Sequence, residues 1–197
     1  MTRIADDSGT SGPICVPVLI VGAGPAGLVT GIGLARHGVQ SMLIERHAST
    51  SIFPRATGVS TRSMEIFRGW GLEDAVRRGG WNVIPRMAIA RRFDERRPVE
   101  GPLGFPDEAE TAAVSPTTAA VSPQDHLEPV LLEHFRSLGG EACFSTELVG
   151  FEQDAEGVRA TIRDRATGIE TVVLCDYLVG ADGHRSGVRS SLSLIHI

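Results

Sequence analysis

The sequence contains no lysine, because all 19 of its basic residues are arginine. This excludes a phosphate-binding loop built on lysine and a lysine Schiff base. Aromatic residues make up only 5% of the chain and the formal net charge is −5. That balance disfavours a nucleic-acid surface and a base-stacking platform. The three cysteines, Cys15, Cys143 and Cys175, form no CxxC pair, so we expect a reducing, cytoplasmic compartment instead of a disulfide framework.

Several catalytic classes lack their motifs as well. The six histidines show neither HExxH nor cysteine-paired spacing, so no metal site is predicted. No GxSxG elbow is present, which disfavours a hydrolase nucleophile, and no catalytic side chain is assigned. The uncharged run 14–35 is long enough to suggest a membrane span. Its β-branched residues come first and its glycines later, so the run instead predicts a strand, a turn and a helix.

The length and composition suit one domain or part of a larger one, since 42% of the 197 residues are hydrophobic. We expect residues 1–13 to be a disordered leader and residues 14–189 to form the domain. After Arg189 no polar closing element follows the last strand. We therefore expect a fold that is incomplete at the C-terminus, with residues 190–197 as a truncation tail without function.

Hydrophobic periodicity predicts an α/β fold. Val16–Val21 and Met42–Ile44 read as buried parallel strands, joined through a helix that ends at Gly38. Further helices are predicted at 61–71 and 124–138, the second with Pro129 near its first turn or at a kink. The remaining predictions are a long loop over 101–123 and strands at 81–90, 143–151, 157–162 and 171–179.

The run Gly22-Ala23-Gly24-Pro25-Ala26-Gly27 matches GxGxxG between a predicted strand and a predicted helix. In such a turn Gly22 permits the tight bend, Gly24 lets the backbone approach a pyrophosphate, and Gly27 allows helix–strand packing. The helix N-terminus then offers N–H groups and a partial positive charge to phosphates. This context predicts a dinucleotide site formed by residues 22–27.

Glu45 ends the second strand, about 20 residues after the glycine turn. A carboxylate there accepts hydrogen bonds from ribose hydroxyls and repels a 2′-phosphate, so the bound adenosine should belong to FAD or NAD and not to NADP. Arg46 beside it is a candidate to pack on the adenine, although a plain surface role is equally compatible. These residues alone do not distinguish FAD from NAD.

Three later segments resemble flavin-dependent aromatic hydroxylases, the single-component FAD monooxygenases of the phenol hydroxylase and para-hydroxybenzoate hydroxylase type. The first is Pro54-Arg55-Ala56-Thr57-Gly58, with Arg62, Glu65 and Gly71-Leu72 after it. The second is Gln124 with Leu127-Glu128, similar to the helix start whose glutamine reaches the flavin side of the cofactor. The third is residues 177–189, a strand that ends in Asp182-Gly183 and is followed by Ser186 and Arg189.

The resemblance implies a Rossmann-like FAD-binding fold, a parallel sheet with helices and additional β-strands. It implies that Arg55, Gln124, Asp182 and Gly183 join the glycine turn, Glu45 and Arg46 in binding FAD, with residues 81–110 as a candidate part of the substrate-binding sheet. The implied reaction uses NAD(P)H as co-substrate and a flavin C4a-hydroperoxide that transfers oxygen from O₂ to a small aromatic substrate, phenolic or polyketide-like. No nucleic-acid partner or membrane span is expected, and the oligomeric state is not predicted.

Other interpretations remain open at this point. A halogenase or isoprenoid reductase would share both glycine motifs, an NAD-dependent dehydrogenase would account for the first motif only, and an inactive fragment would need neither. Individual residues also have structural interpretations. Asp182-Gly183 after an apolar strand is typical of a hairpin, Gln124 can cap its helix, and Arg55 can be a surface charge.

Overall fold

The computed structural model describes residues 2–5, 11–80, 87–92, 94, 99–101 and 108–193. These residues form two compact units. The first unit comprises residues 1–53 and 127–197, and the second comprises residues 54–126.

The secondary structure of the described residues is numbered here in chain order. The strands are β1 (Thr2–Ala5), β2 (Ser11–Cys15), β3 (Val18–Val21), β4 (Ser41–Ile44), β5 (Gly58–Val59), β6 (Met87–Ile89), β7 (Val99–Gly101), β8 (Ala120–Val121), β9 (Glu141–Cys143), β10 (Thr146–Asp154), β11 (Gly157–Asp164), β12 (Glu170–Cys175) and β13 (Tyr177–Gly180). The helices are α1 (Pro25–Arg36), α2 (Thr61–Gly69), α3 (Glu73–Arg78), α4 (Glu108–Ala112), α5 (Gln124–Ser137) and α6 (Gly187–Ser191).

The first unit contains two sheets. The parallel sheet has the strand order β13-β3-β4-β9, and the other sheet has the order β1-β2-β12-β11-β10. In the second sheet the β2–β12 pair is parallel, whereas the remaining pairs are antiparallel. The α/β fold with a parallel sheet and additional β-strands that the sequence predicts is therefore confirmed.

The two sheets share one apolar core. Leu19, Val21, Met42 and Ile44 of the parallel sheet form a single buried cluster with residues of β11 and β12. Because side chains alternate along a strand, Ile20 and Leu43 point to the opposite face, and both are fully buried. Each such buried aliphatic side chain contributes about 1.5–3 kcal/mol to stability.

Helix α1 follows β3 after the glycine turn. Pro25 occupies its first turn, where a missing N–H costs nothing, and Leu28 and Ile32 are fully buried on one face. Gly31 lies so close to α5 that an added Cβ would be 2.8 Å from the ring of Phe135. The helix ends at Arg36, and Gly38 has a φ of +75°, which agrees with the predicted glycine C-cap.

The second unit contains a polar cluster centred on Glu73 of α3. The Glu73 carboxylate accepts hydrogen bonds from Thr117 Oγ1, from Arg68 at 3.0 Å and from Arg77 at 3.1 Å. Arg77 also donates to Thr117 Oγ1 and to the carbonyl oxygen of Thr118, both at 2.8 Å. The Thr117 hydroxyl, and then the two arginines, hold the pKa of Glu73 below its ordinary value. The cluster therefore joins α3 to the segment that leads into β8.

Three predicted strands include a point where the chain passes from one sheet to the other. The predicted strand 143–151 spans the break between β9 and β10. The predicted strand 16–21 begins only at Val18, after β2 has ended at Cys15, and the predicted strand 171–179 is split at Asp176. Pro17 has no N–H for a ladder, and its carbonyl oxygen accepts from the amides of Asp176 and Tyr177, at 3.0 and 3.1 Å. Periodicity could not reveal this because both halves of each segment are apolar.

Other elements differ from the sequence prediction in detail. Residues 2–5 and 11–15 form strands, whereas a disordered leader was expected at 1–13; β2 is held there by pairing with β12. The predicted loop 101–123 includes α4 and β8, and Pro129 lies inside α5. Residues 81–86 of the predicted strand 81–90 lie outside the described residues, and residues 87–89 form β6, paired with β7. Ser190 and Ser191, in the expected tail, belong to α6.

Candidate functional site

Three predicted motifs meet at one edge of the parallel sheet. Strands β13, β3 and β4 are adjacent, and their last residues, Gly180, Val21 and Ile44, are in register. The segments that follow these strands are Ala181-Asp182-Gly183, the glycine turn 22–27, and Glu45. Because the carboxyl ends of parallel strands share an edge, this is where open α/β sheets bind their ligands. The structure thus brings together Asp182, Gly183, the glycine turn and Glu45 with Arg46.

Two glycines of the turn are required by packing within the chain. Gly22 has a φ of +109°, a region that favours glycine, and donates its N–H to the Ile44 carbonyl oxygen at 2.8 Å. A Cβ on Gly22 would overlap the carbonyl oxygen of Ala181, and a Cβ on Gly27 would overlap that of Gly22. These two positions therefore fix the contact between the turn, α1 and the end of β13.

Gly24 differs from both, because packing within the described part of the chain does not require a glycine there. Its backbone is extended, with φ −70° and ψ 178°, which any residue can adopt. A Cβ added there would have no described protein atom within 4 Å. The turn therefore keeps open space beside its backbone, as the close approach of a pyrophosphate requires.

The N-terminus of α1 is suited to an anion. Gly24 is its N-cap and has no side chain to accept hydrogen bonds, and within the described residues no acid lies in the first turn. The first amides of a helix lack partners inside the helix and carry the positive end of its dipole. A diphosphate beside Gly24 would supply the missing acceptors.

The Glu45 carboxylate is fixed beside this turn. Its Oε2 atom accepts from the Ala23 amide at 2.9 Å. Its Oε1 atom accepts from the His47 amide at 2.9 Å and from His47 Nδ1 at 2.5 Å. The Glu45 amide donates to the Cys143 carbonyl oxygen at 2.9 Å, which ties the end of β4 to β9. Glu45, the residue predicted to bind the ribose, is therefore adjacent to the predicted diphosphate site.

The Asp182 carboxylate stabilises the start of α6. Its Oδ1 accepts from Ser186 Oγ at 2.5 Å, and its Oδ2 accepts from the amides of Gly187 and Val188 at 2.7 and 3.2 Å. Ser186 in turn caps α6 by accepting from the Arg189 amide. The Asp182-Gly183 pair thus leads into a short helix and not into the hairpin that its local sequence also suggests.

Arg46, Arg55 and Gln124 are the other residues predicted to bind the cofactor. The side chain of Arg46 is exposed, and its carbonyl oxygen accepts from Arg165 Nη1 at 2.8 Å. Arg55 and Gln124 belong to the second unit. Arg55 is exposed there, and Gln124 is half-buried as the first residue of α5.

Two residues that contact the first unit's loop after β4 were not predicted to have a role. His47 holds Glu45, as described above. Glu128 is 3% exposed and accepts from the Ser51 amide at 2.6 Å. An acid next to the apolar stripe of α5 was the available signal for Glu128, whereas His47 carries no sequence signal of its own.

Two features are absent from the part of the chain that the structure describes. There, no group of three or more His, Cys, Asp or Glu side chains is arranged to hold a metal ion. Likewise, none of the described helices has the length and apolar character needed to cross a membrane.

Comparison with known proteins identifies this arrangement. Residues 15–196 match the family model described as "FAD binding domain". Over 185 residues the chain is 40% identical to aklavinone 12-hydroxylase DnrF of Streptomyces peucetius subsp. caesius, covering 91% of this chain and 38% of that protein. It is also 40% identical over 184 residues to 2,4-dichlorophenol 6-monooxygenase of Cupriavidus pinatubonensis, covering 90% of this chain and 30% of the relative.

A solved structure agrees with these relatives. The flavin-dependent monooxygenase PieE, crystallised with FAD and substrate, superposes with a TM-score of 0.83 at 39% sequence identity. The match covers 92% of this chain and 32% of PieE. The chain thus spans about a third of the length of the proteins it matches. Within that span, it belongs to the FAD-binding domain family of the FAD-dependent aromatic hydroxylases.

Proposed function

We propose that this chain supplies the FAD-binding part of an NAD(P)H-dependent monooxygenase that hydroxylates an aromatic substrate with O₂. The observation that carries the proposal is the open space at Gly24, next to an N-terminus of α1 that no side chain caps in the described structure. Two relatives named for aromatic hydroxylation, one acting on aklavinone and one on a dichlorophenol, support the reaction class.

In this proposal the diphosphate of FAD lies against the turn 22–27. The Gly22 and Ala23 amides already donate to Ile44 and Glu45, and Pro25 has no N–H, so the contacts fall to the amides of Gly24, Ala26 and Gly27. The cradle suits the group because Gly22 and Gly27 are fixed by packing while the space beside Gly24 stays free. The amides are held in place by the fold and need no reorganisation when the anion binds. Ala23, Pro25 and Ala26 complete the turn, and Pro25 sets the backbone direction at the start of α1.

The adenosine ribose would be held by Glu45. Both of its carboxylate oxygens are already oriented by N–H donors. Oε1 accepts from two donors of His47, whereas Oε2 accepts from Ala23 alone and keeps a lone pair to accept from a ribose hydroxyl. A 2′-phosphate would be repelled there, so NADPH, if it is the reductant, binds elsewhere. Arg46 is proposed to pack on the adenine, and Arg55, Gln124, Asp182 and Gly183 are proposed further along the cofactor by resemblance.

When bound, FAD supplies the redox and oxygen-transferring chemistry, and the protein supplies binding, orientation and shielding from water. The chain's own residues therefore act on the cofactor's position. The glycine turn and the N-terminus of α1 would stabilise the diphosphate, and Glu45 would orient the adenosine ribose beside it. Loss of either contact should lower FAD affinity before it alters any chemical step.

The test combines a binding and a turnover measurement. FAD added to the purified chain should co-elute with it on gel filtration and give a flavin band at about 450 nm. The full-length gene product should then oxidise NAD(P)H faster when an aromatic substrate is added and incorporate one atom of ¹⁸O₂ into it. Protein that binds NAD but not FAD would instead indicate a dehydrogenase.

The other interpretations predict different results in the same assays. Bound flavin with halogen transfer or double-bond reduction in place of oxygen insertion would indicate a related flavoenzyme of the halogenase or isoprenoid reductase type. A folded protein that binds neither nucleotide would indicate an inactive fragment. Each of these outcomes would refute the monooxygenase proposal.

A further inference from the structure

The carboxylate of Glu45 is held from two sides. Its Oε2 atom receives the Ala23 amide of the glycine turn. Its Oε1 atom receives two donors from one residue, the amide of His47 at 2.9 Å and the ring Nδ1 at 2.5 Å. Any residue except proline at position 47 could donate the backbone N–H. Only the hydrogen bond from the ring requires histidine or a similar donor side chain.

The Glu45 carboxylate also determines which nitrogen of the His47 ring carries a hydrogen. An ionised carboxylate has no proton to donate, so Nδ1 must carry the hydrogen of this bond. His47 is therefore held as a donor in a defined orientation. Its side chain is 67% exposed, whereas that of Glu45 is 13% exposed. The ring thus contributes little burial of its own, and its main contact in this loop is the carboxylate.

The direction of the contact matters for a ligand at Glu45. Rotation of the carboxylate away from the glycine turn would break the Ala23 and the His47 bonds together. Holding both oxygens before a ligand arrives reduces the side-chain entropy lost on binding. It also leaves one lone pair for a ligand, on the Oε2 atom that contacts the turn.

We propose that His47 is a positioning residue for cofactor binding, which acts through Glu45 by fixing the carboxylate that receives the ribose. The inference rests on the proposed role of Glu45 in FAD binding. It assigns no contact between His47 and the cofactor, so its effect should depend entirely on the presence of the carboxylate.

The experiment is a double-mutant cycle on FAD affinity, measured by titrating FAD into the purified chain. His47→Leu should weaken binding by about three- to tenfold, as expected for one hydrogen bond to a charged group at a partly exposed site. His47→Asn places an amide N–H near the position of Nδ1 and should restore affinity to within about twofold of the parent. In a Glu45→Ala background, His47→Leu should cause no further loss.

The matched control is His37→Leu. His37 is an exposed histidine of the first unit at the opposite end of α1 from the glycine turn, and its replacement should leave FAD affinity unchanged. Circular dichroism and thermal unfolding establish that each variant is folded. If His47→Leu does not fold, His47→Ala removes the ring donor without adding a large apolar side chain.

The positioning role of His47 and the ribose-binding role of Glu45 are refuted by different results. If Glu45→Ala weakens FAD binding but His47→Leu does not, the positioning role is refuted and the ribose assignment stands. If His47→Leu costs the same with and without Glu45, the histidine acts on its own and the proposal is likewise overturned. If Glu45→Ala leaves FAD affinity unchanged, the ribose assignment itself fails and the inference falls with it.

Discussion

Gly24→Ala separates cofactor binding from folding. The added methyl group would have no described protein atom within 4 Å, and the backbone at this position is already extended. The cost to the fold is therefore limited to replacing glycine with alanine at an N-cap, about 0.5–1 kcal/mol. The same methyl group lies where the diphosphate of FAD must approach the main chain.

The effect on binding follows from that overlap. If the methyl group moves the diphosphate away from one amide, one hydrogen bond to a charged group is lost, which is worth about 1.5–3 kcal/mol. This corresponds to about a tenfold to hundredfold rise in the Kd for FAD. We expect this rise together with a fall of no more than about 1 kcal/mol in the free energy of unfolding in the absence of cofactor.

The matched control is Gly33→Ala, in the same helix. A Cβ on Gly33 also has no described atom within 4 Å, and alanine is the better helix former by about 1 kcal/mol. Gly33→Ala should therefore raise the free energy of unfolding and leave the Kd unchanged. Urea unfolding and FAD titration on both variants provide the comparison. An unaltered Kd in folded Gly24→Ala would refute the account of the turn.

Four further outcomes are expected. Gly27→Ala should lower the free energy of unfolding by about 1–3 kcal/mol in urea titrations, because its Cβ would overlap the Gly22 carbonyl oxygen. Glu45→Ala should raise the Kd for FAD by about tenfold or more through loss of the ribose acceptor, while the exposed acid Glu152 can be replaced by alanine without effect. Asp182→Ala should cost about 0.5–2 kcal/mol in thermal or urea unfolding because three donors lose their acceptor, and Asp182→Asn should lose less. The pKa of Glu73 lies below its ordinary value of 4.5. The stability that its ionised form contributes is therefore complete above pH 4.5 and is lost as the pH falls through the lower pKa of the folded state. The free energy of unfolding, measured against pH, should fall less on acidification in Glu73→Gln than in the parent.

The parts of the fold that sequence alone could give are those with a strong local signal. The apolar run before the glycine turn, Pro25 at the helix start and Gly38 at its end define the first βαβ unit without tertiary information. The change of sheet at Pro17 and Asp176 depends on a hydrogen bond between segments far apart in the chain. The hydrophobic pattern of either segment alone therefore cannot predict where the chain changes sheet.

The candidate site was predictable to the same extent. The glycine turn and Glu45 carry a recognisable spacing, and parallel pairing brings their neighbour Asp182 to the same edge. What the sequence could not give is the distinction among the glycines, because whether a Cβ meets the backbone or open space is a tertiary property. The role of His47 is hidden for a similar reason, since an exposed histidine in a loop is usually without consequence.

The most direct test of the central claim is a crystal structure of the chain with FAD bound at full occupancy. We expect the diphosphate within hydrogen-bonding distance of main-chain amides in residues 22–27, and the adenosine ribose on the carboxylate of Glu45. FAD bound at another place, with the glycine turn vacant, would contradict the account.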